Sequence, residues 1–519
     1  MSGARPPDDS LRNFGKAVYN KNSVPMEIRR IMLIKPGRRF SRMGFGQPLG
    51  LLYLISVLRE RFPGKYEIDF VEQALYDVTT EDIRERFRKF NPDLVGFSTM
   101  SMEAGETEEI CRMIKSQKPE CITVMGGPHA SVFFDWALKD ADIDYVVIGE
   151  GEETFPDLLL ALEQERPMDD VKGIAFMREG KLVETPSRPF IEDLDKIPMP
   201  AWDLVNFKLY SVQITMNGYC HSTPWAMLFT TRACPFKCAY CHGIFGKKVR
   251  KRSVDNVLAE IELLVNKYGV RELHIVDDIF NIDLARAKKI CDEIVARGIK
   301  VKIAFPNGLR ADMMDRELLQ KLKAAGCYVI TYAVETASPR LQKLVHKNLD
   351  LEYTKQVIEW TYKEGIIPQA FFMLGFPTET PEEIEMTIDF ALKSKLIRGW
   401  FFTVVVYPRT ELLDIARKAY PDFDFSNYDW FDLRYWSEKP FYSRVTPYDG
   451  FKIQRDAYRR FFLRPSIILK ILWWFPKNAF LLRGMWWGLR ASFISLYGLE
   501  RIFRPVRKFL ARNFGLFPE

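Results

Sequence analysis

The sequence predicts an α/β protein made of a doubly wound parallel sheet, then a partial (β/α)6 barrel, then a basic helical extension. Three observations carry this expectation. Short apolar strands alternate with amphipathic helices over 31–163, a second such series runs over 225–407, and composition changes abruptly after 450. Parallel strands covered by helices on both faces are buried twice over, so they read as short continuous apolar runs.

In the first series, 31–34, 66–71, 94–98, 122–125 and 145–148 read as strands. The intervening 49–58, 80–90, 103–116, 132–139 and 155–163 read as helices, the second capped by Thr79 or Thr80. Segments 174–177 and 182–184 flank Arg178-Glu-Gly180 and read as a hairpin, and the Pro-rich run 197–202 reads as a linker. In the second series, 226–230, 272–276, 302–305, 328–333, 369–374 and 401–406 are candidate strands. A barrel of this kind collects functional groups at strand C-termini. The expected division is a leader over 1–27, a first domain over 28–165, hairpin and linker over 166–222, a barrel domain over 223–440 and an extension over 441–519.

Bulk properties narrow the class. At 519 residues, with 47% apolar and 28% charged residues, the chain is an ordinary globular protein with room for about three domains. Its net charge of +7 is uneven, because 451–519 carries 14 Lys/Arg against 3 Asp/Glu. That asymmetry points to an anionic partner surface. Eight cysteines are too few for a disulfide scaffold, and three of them fall within eight residues, which is ligand spacing. The first 24 residues lack an apolar core of signal-peptide length, and no run of 18 apolar residues exists, so a cytoplasmic location without a transmembrane helix is expected.

The strongest chemical signal is Cys234-Pro-Phe-Lys-Cys238-Ala-Tyr-Cys241, placed just after a strand. Thiolates are natural ligands of iron–sulfur clusters, and three of them hold three irons of a cubane while the fourth stays open. Zinc is the rival, but a closed zinc site needs a fourth ligand, and His242 directly after Cys241 is badly placed to supply it.

Cys-x3-Cys-x2-Cys with an aromatic residue, here Tyr240, before the last cysteine resembles the radical S-adenosylmethionine (SAM) signature. Over about 30–440 the chain is similar to the radical SAM subgroup with an N-terminal cobalamin-binding domain. The resemblance implies a 4Fe–4S cluster on Cys234, Cys238 and Cys241. It also implies SAM, cobalamin, and an external electron donor of the flavodoxin or ferredoxin type. Asp277 and Asp278 match positions near the SAM amine, where an ammonium needs acceptors; capping of the next helix is their plainer reading. Glu335 matches a position that accepts ribose hydroxyls, with a partnership to Arg310 or Arg340 as the alternative. Gly375-Phe-Pro-Thr-Glu-Thr380 resembles the family's Gly-x-Pro-x-Glu-Thr turn, in which Gly375 lets backbone approach a ligand. Thr380 with Glu383 reads equally well as a capping box.

In the first domain, hydroxyls and glycines stand at strand ends: Ser98, Thr99, Gly126, Gly127 and the run 149–154. Such groups build the crevice where doubly wound, flavodoxin-like sheets bind ligands. By resemblance, Ser98, Gly126 and Gly127 line the groove for the cobalamin nucleotide tail. The Asp-x-His-x2-Gly motif that gives cobalt a histidine is absent, the loop 35–47 has no histidine, and His129 reads as structural.

The extension sets Trp473, Trp474, Trp486 and Trp487 among apolar clusters punctuated by Lys470, Lys477, Arg483 and Arg490. Tryptophan and basic residues on interrupted helices point to the bilayer interface. Single-stranded nucleic acid is the less favoured partner, and a helical cap on the barrel is a third reading. The resemblance implies that the reduced cluster cleaves SAM to a 5′-deoxyadenosyl radical, which takes hydrogen from an unactivated carbon. No catalytic side chain is singled out. The expected enzyme is a cobalamin-dependent C-methyltransferase acting on a lipid or polycyclic isoprenoid, peripheral on the inner face of the membrane. An anaerobic cyclase acting on a porphyrin-like ring is the enzymatic alternative, and a cobalamin sensor or carrier the non-enzymatic one.

Overall fold

The computed structural model describes residues 27–37, 46–213, 215, 219–425 and 439–474, and the chain divides into two units. The first holds 27–37 and 57–189, the second 46–56 and 190–474.

In the first unit, strands β1 (Arg30–Lys35), β2 (Glu67–Glu72), β3 (Leu94–Ser98), β4 (Ile122–Gly126) and β5 (Tyr145–Val147) are parallel, in the order 2-1-3-4-5. Met32, Ile34, Val95 and Phe97 point into one core, joined by Phe87 and Ile114 from the covering helices. Leu33 and Leu94 are equally buried on the other face, so helices cover both sides as the unbroken apolar runs require. The strand order reverses between β1 and β3, which places the ligand crevice at their C-terminal ends.

Helix α1 (Leu49–Arg61) joins β1 to β2, and α2 (Thr80–Phe90) and α3 (Ala104–Gln117) follow β2 and β3. Thr79 is the α2 cap, in a reciprocal box with Asp82. The helix expected over 132–139 is two, α4 (Pro128–Val132) and α5 (Phe134–Lys139), broken at Phe133. Helix α6 (Gly151–Glu163) begins four residues before the expected start. Its first turn, with Glu152 and Glu153, is acidic as a helix N-terminus favours, and that polar run disguised it as loop. The hairpin, β6 (Ile174–Arg178) and β7 (Lys181–Glu184), is not part of a free connection: it pairs antiparallel on β5 and completes the sheet.

The second unit is built on β8 (Trp225–Leu228), β9 (Glu272–Ile275), β10 (Lys302–Leu309), β11 (Cys327–Glu335), β12 (Ile367–Leu374) and β13 (Arg398–Thr403), all parallel and in chain order. Helices α7 (Val254–Tyr268), α8 (Leu284–Ala296), α9 (Arg316–Ala324), α10 (Pro339–Leu344), α11 (Leu351–Lys363), α12 (Pro381–Lys393) and α13 (Glu411–Ala419) alternate with them. This is the partial barrel. Residues 46–56 are stitched to its first strand. Gln47 Nε2 donates to the Trp225 carbonyl at 3.1 Å, Met227 N–H donates to Gln47 Oε1 at 3.0 Å, and Ala201 N–H donates to the Leu52 carbonyl at 3.1 Å.

Beyond α14 (Phe441–Val445), helix α15 (Gly450–Phe462) closes the open edge of the sheet. The edge backbone of Phe401 donates to the Tyr458 hydroxyl at 3.0 Å, and its carbonyl accepts from Gln454 Nε2 at 2.8 Å. An uncovered edge strand is a template for unwanted pairing, and this helix removes it. The start of the basic extension is therefore a structural cap. Helix α16 (Pro465–Trp474) follows; its Ile467 is buried and Trp474 stacks on Tyr362, whereas Ile468, Leu469, Leu472 and Trp473 are exposed. No helix among the described residues is long and apolar enough to cross a membrane. The leader, most of the loop 35–47 and the segment holding Trp486 and Trp487 lie outside the described residues.

Candidate active site and cofactor groove

The three cysteines lie on the loop leaving β8, at the C-terminal end of the barrel sheet. Thr231–Arg232 pairs antiparallel with Arg250–Lys251 and ties the loop shut at its base. Asp277 and Asp278 follow β9 and hold the near side of that loop. The Asp277 carboxylate is buried and accepts from both the backbone and the hydroxyl of Thr230, each at 2.5 Å. Asp278 accepts from Ala233 N–H at 3.1 Å, next to Cys234, where Ala233 takes the left-handed φ of +77°. Burial pushes both carboxyls up, and the Thr230 and Ala233 bonds work against it. The two aspartates are loop anchors rather than helix caps, since Asp283 caps α8.

The middle of the loop is sewn to its surroundings through Ala239. Its N–H donates to the Val345 carbonyl at 3.0 Å, and its carbonyl accepts from Leu412 N–H at 2.8 Å. Cys234 and Cys238 are half-buried and Cys241 is exposed. Burial raises the half-buried Cys234 thiol, and the neighbouring sulfurs add to the effect. The ligand-type atoms that draw within 4.8 Å of one another among the described residues are Cys220, Glu272 and His274, so the three loop sulfurs are more widely spread. A single zinc ion with bonds of about 2.3 Å would gather its sulfurs to about 4 Å. His242 is engaged elsewhere, donating from Nε2 to the Pro408 carbonyl at 2.9 Å.

Glu335 ends β11 with φ +68° and is buried. Its partners are neither Arg310 nor Arg340. Lys347 Nζ lies 3.8 Å away, and the Tyr240 hydroxyl is a neighbour that opposes the effect of burial on it. Burial raises the Glu335 carboxyl, opposed by Lys347. Arg310 instead pairs with Asp312 and stacks 3.8 Å over Phe236, inside the cysteine motif. Arg340 pairs with Glu383. Buried Lys347 was missed in the sequence, where an isolated basic residue in a loop carries no signal; Arg310 was weighed there as a partner of Glu335, not as a cation stacked on the cysteine motif.

Gly375 has φ +89°, and a Cβ there would fall 2.7 Å from Tyr442 Cβ, so packing under Tyr442 already demands glycine. Its N–H and that of Phe376 donate to the Glu379 carboxylate. Burial pushes Glu379 up to about 8, and its Oε1 finds no donor among the described residues. The Thr380–Glu383 capping box is present as read.

In the first unit, Ser98, Gly126 and Gly127 come together at the crevice. Gly127 has φ +94°, and a Cβ there would lie 3.0 Å from the Thr99 backbone and 3.2 Å from Ser98 Oγ. Thr99 N–H donates to the Gly126 carbonyl at 3.0 Å, and Lys35 Nζ donates to the Ser98 carbonyl at 3.3 Å. Gly149, φ +80°, leaves open space where a Cβ would sit. A hydroxyl- and glycine-lined crevice at the strand ends is where doubly wound sheets take their ligands. His129 is fully buried, stacked on Phe133 with ring centroids 4.5 Å apart, and shares a hydrogen bond between Nδ1 and Ser101 Oγ at 3.1 Å.

Burial pushes His129 down to about 4 from its ordinary 6.5. Between those values the unfolded chain binds a proton that the folded one refuses, so stability present at pH 7 is lost as pH falls through that window. The first unit should lose about 2 kcal/mol between pH 7 and 5 at this site. Thermal unfolding of His129→Gln should show a smaller fall over that range; an equal fall would contradict the assignment.

A cysteine loop at the mouth of a parallel barrel, behind a doubly wound domain with a glycine-lined crevice, defines an iron–sulfur enzyme with a cofactor-binding domain. Residues 228–391 match the radical SAM superfamily, and 39–159 match the B12 binding domain. The chain carries a radical SAM domain and, ahead of it in the sequence, a B12-binding domain. It is an enzyme whose cofactors are SAM, a 4Fe–4S cluster and cobalamin.

It is 29% identical over 473 residues to an uncharacterized methyltransferase of Pyrococcus horikoshii, covering 89% of this chain and 98% of that one. It is 29% identical to the cytidylyl-2-hydroxyethylphosphonate methyltransferase of Streptomyces wedmorensis (76% and 83% covered). Identity is also 29% to the anaerobic magnesium-protoporphyrin IX monomethyl ester cyclase of Rubrivivax gelatinosus (74% and 68%). Its fold matches that of the radical SAM methyltransferase TsrM of Kitasatospora setae, solved with cobalamin and a [4Fe-4S] cluster, at a TM-score of 0.61 and 20% identity over 74% of each chain.

Proposed function

We propose that this chain is a cobalamin-dependent radical SAM methyltransferase that methylates an unactivated carbon of a lipophilic substrate. The observation that carries the reading is the cysteine loop, anchored by Asp277 and Asp278 at the barrel's C-terminal mouth, in one chain with the Ser98–Gly126–Gly127 crevice. Together, cluster, SAM and cobalamin supply one-electron chemistry and a transferable methyl group. Cys234, Cys238 and Cys241 hold three irons. Glu335, oriented by Tyr240 and Lys347, accepts hydrogen bonds from SAM, and Asp278 keeps Cys234 in register. Ser98, Gly126 and Gly127 receive the cobalamin tail. His129, locked in its aromatic stack, gives cobalt no ligand. An external flavodoxin- or ferredoxin-type protein reduces the cluster.

Two relatives that match most of their own length are named as methyltransferases, which favours methyl transfer. The cyclase relative supports ring formation on a tetrapyrrole as the second reading. A sensor or carrier would have no use for an open iron. The lipophilic substrate rests on α16, where Ile468, Leu469, Leu472 and the 82%-exposed Trp473 form an apolar stripe. Such a stripe, next to basic residues, suits the inner face of a bilayer.

The test supplies reduced, reconstituted enzyme with SAM deuterated on its methyl group and a membrane lipid extract. A deuterated lipid product is expected, along with 5′-deoxyadenosine and binding to anionic vesicles that persists at high salt. Deoxyadenosine without label transfer, alongside a newly closed ring on a porphyrin substrate, would overturn methyl transfer. Label on a water-soluble substrate only would overturn the lipid.

A further inference from the structure

At the N-terminal end of the barrel strands, away from the cysteine loop, three buried side chains of different chemistry meet. Glu272 opens β9, and His274 lies two residues on, which puts both on one face of the strand. Cys220 arrives on the segment leading into β8. Their sulfur, carboxylate oxygen and imidazole nitrogen all lie within 4.8 Å of one another, and none of the three is more than 1% exposed. We propose that Cys220, Glu272 and His274 bind one zinc ion at a structural site separate from the cluster.

The donor set is right for that ion, since thiolate, imidazole and carboxylate are the ligands zinc takes. The carboxylate is already aimed. Glu272 Oε2 accepts from the backbone N–H groups of His221 and Ser222, both at 2.7 Å, while Oε1 faces His274 Nε2 and the Tyr328 hydroxyl, each at 2.8 Å. Outer hydrogen bonds of this kind fix the orientation of metal-bound carboxylates. The Tyr328 hydroxyl is the further oxygen at the spot and is itself buried. His274 stacks on Trp225 at 4.9 Å, which holds its ring in place.

Charge favours the ion as well. Glu272 has zero exposure, and its ion-pair partner among the described residues is His274. On binding, the Cys220 thiol proton leaves to solvent, and the His274 proton moves from Nε2 to Nδ1. Zinc, thiolate and carboxylate then sum to zero charge in a buried site. Ser222, whose backbone N–H holds Glu272, also lines an open groove of about 590 Å³ between the ends of α7, α8 and α9.

The test uses full-length protein carrying Cys234→Ala, Cys238→Ala and Cys241→Ala, so that the cluster site is silent. Cobalt(II) is the probe. One equivalent should give a thiolate-to-cobalt charge-transfer band that zinc abolishes, and zinc should raise the Tm. Adding Cys220→Ala should remove the band and the Tm rise, and His274→Ala should weaken cobalt binding at least about tenfold. No band in the parent protein, or a band that survives Cys220→Ala, overturns the proposal. Because Cys220→Ala can itself disturb packing, the Tm response of the parent to zinc is read independently, and its absence is equally fatal.

Discussion

Replacing any one of Cys234, Cys238 or Cys241 with alanine is expected to abolish SAM cleavage and to strip the reconstituted protein of iron, from about four atoms to less than one per chain. Two thiolates cannot retain a cubane against water and competing thiols when the third corner opens. The folded barrel should survive the change, because the loop hangs from contacts other than sulfur. Asp277 and Asp278 hold its near side, Ala239 its middle, and the 231–232/250–251 pairing its base. Unfolding midpoints should therefore move little while iron and activity vanish. Cys111, a core residue of the first unit, is the control and should keep its iron when changed to alanine. A protein that holds one zinc and no iron on the three cysteines would defeat the reading.

Glu260→Ala should destabilise the second unit by about 3–5 kcal/mol. The Glu260 carboxylate has no exposure; it accepts from Trp202 Nε1 at 2.9 Å and is paired with Arg252. Arg252 is buried as well, and its other bonds go to Asn256 Oδ1, the Asn256 carbonyl and the Phe229 carbonyl. Losing the carboxylate leaves a guanidinium charge without its counterion, which costs more than the pair itself contributes. Glu260→Gln keeps an acceptor for Trp202 and should cost less. Arg252 directly follows the strand that closes the cysteine loop, so iron retention should fall with stability in the alanine variant. A loss under about 1 kcal/mol by thermal unfolding would show that water reaches the site.

The elements that were legible in the sequence are those whose periodicity comes from burial on both faces. All six barrel strands lie where apolar runs were read. The last is offset, because Arg398 looks like loop; its guanidinium is in fact stacked on Trp400 at 3.8 Å, inside the strand. The α6 start was hidden by its acidic first turn, and the break at Phe133 has no compositional signature. The cysteine loop was legible because ligand spacing is local. What surrounds it was not. Lys347, in the segment after α10, reaches Glu335, and Arg310, just past β10, reaches Phe236 of the cysteine motif; only the fold says that these places are neighbours. Gly375 was read as room for a ligand, while the structure supplies a second reason in Tyr442, 67 positions away in the chain.

The stretch 46–56 comes early in the chain yet is hydrogen-bonded to Ala201, Trp225 and Met227 as part of the barrel unit. Neither half of the enzyme can therefore be lifted out with one cut. A chimera that borrows a relative's front half at a seam near 190 would import a foreign Gln47 and Leu52 and set them against a native first barrel strand and a native Ala201. Swaps meant to retune the B12 domain have to be drawn with three junctions, on either side of 46–56 and near 190, and lineages that exchanged only the front end would carry mismatches along this one seam.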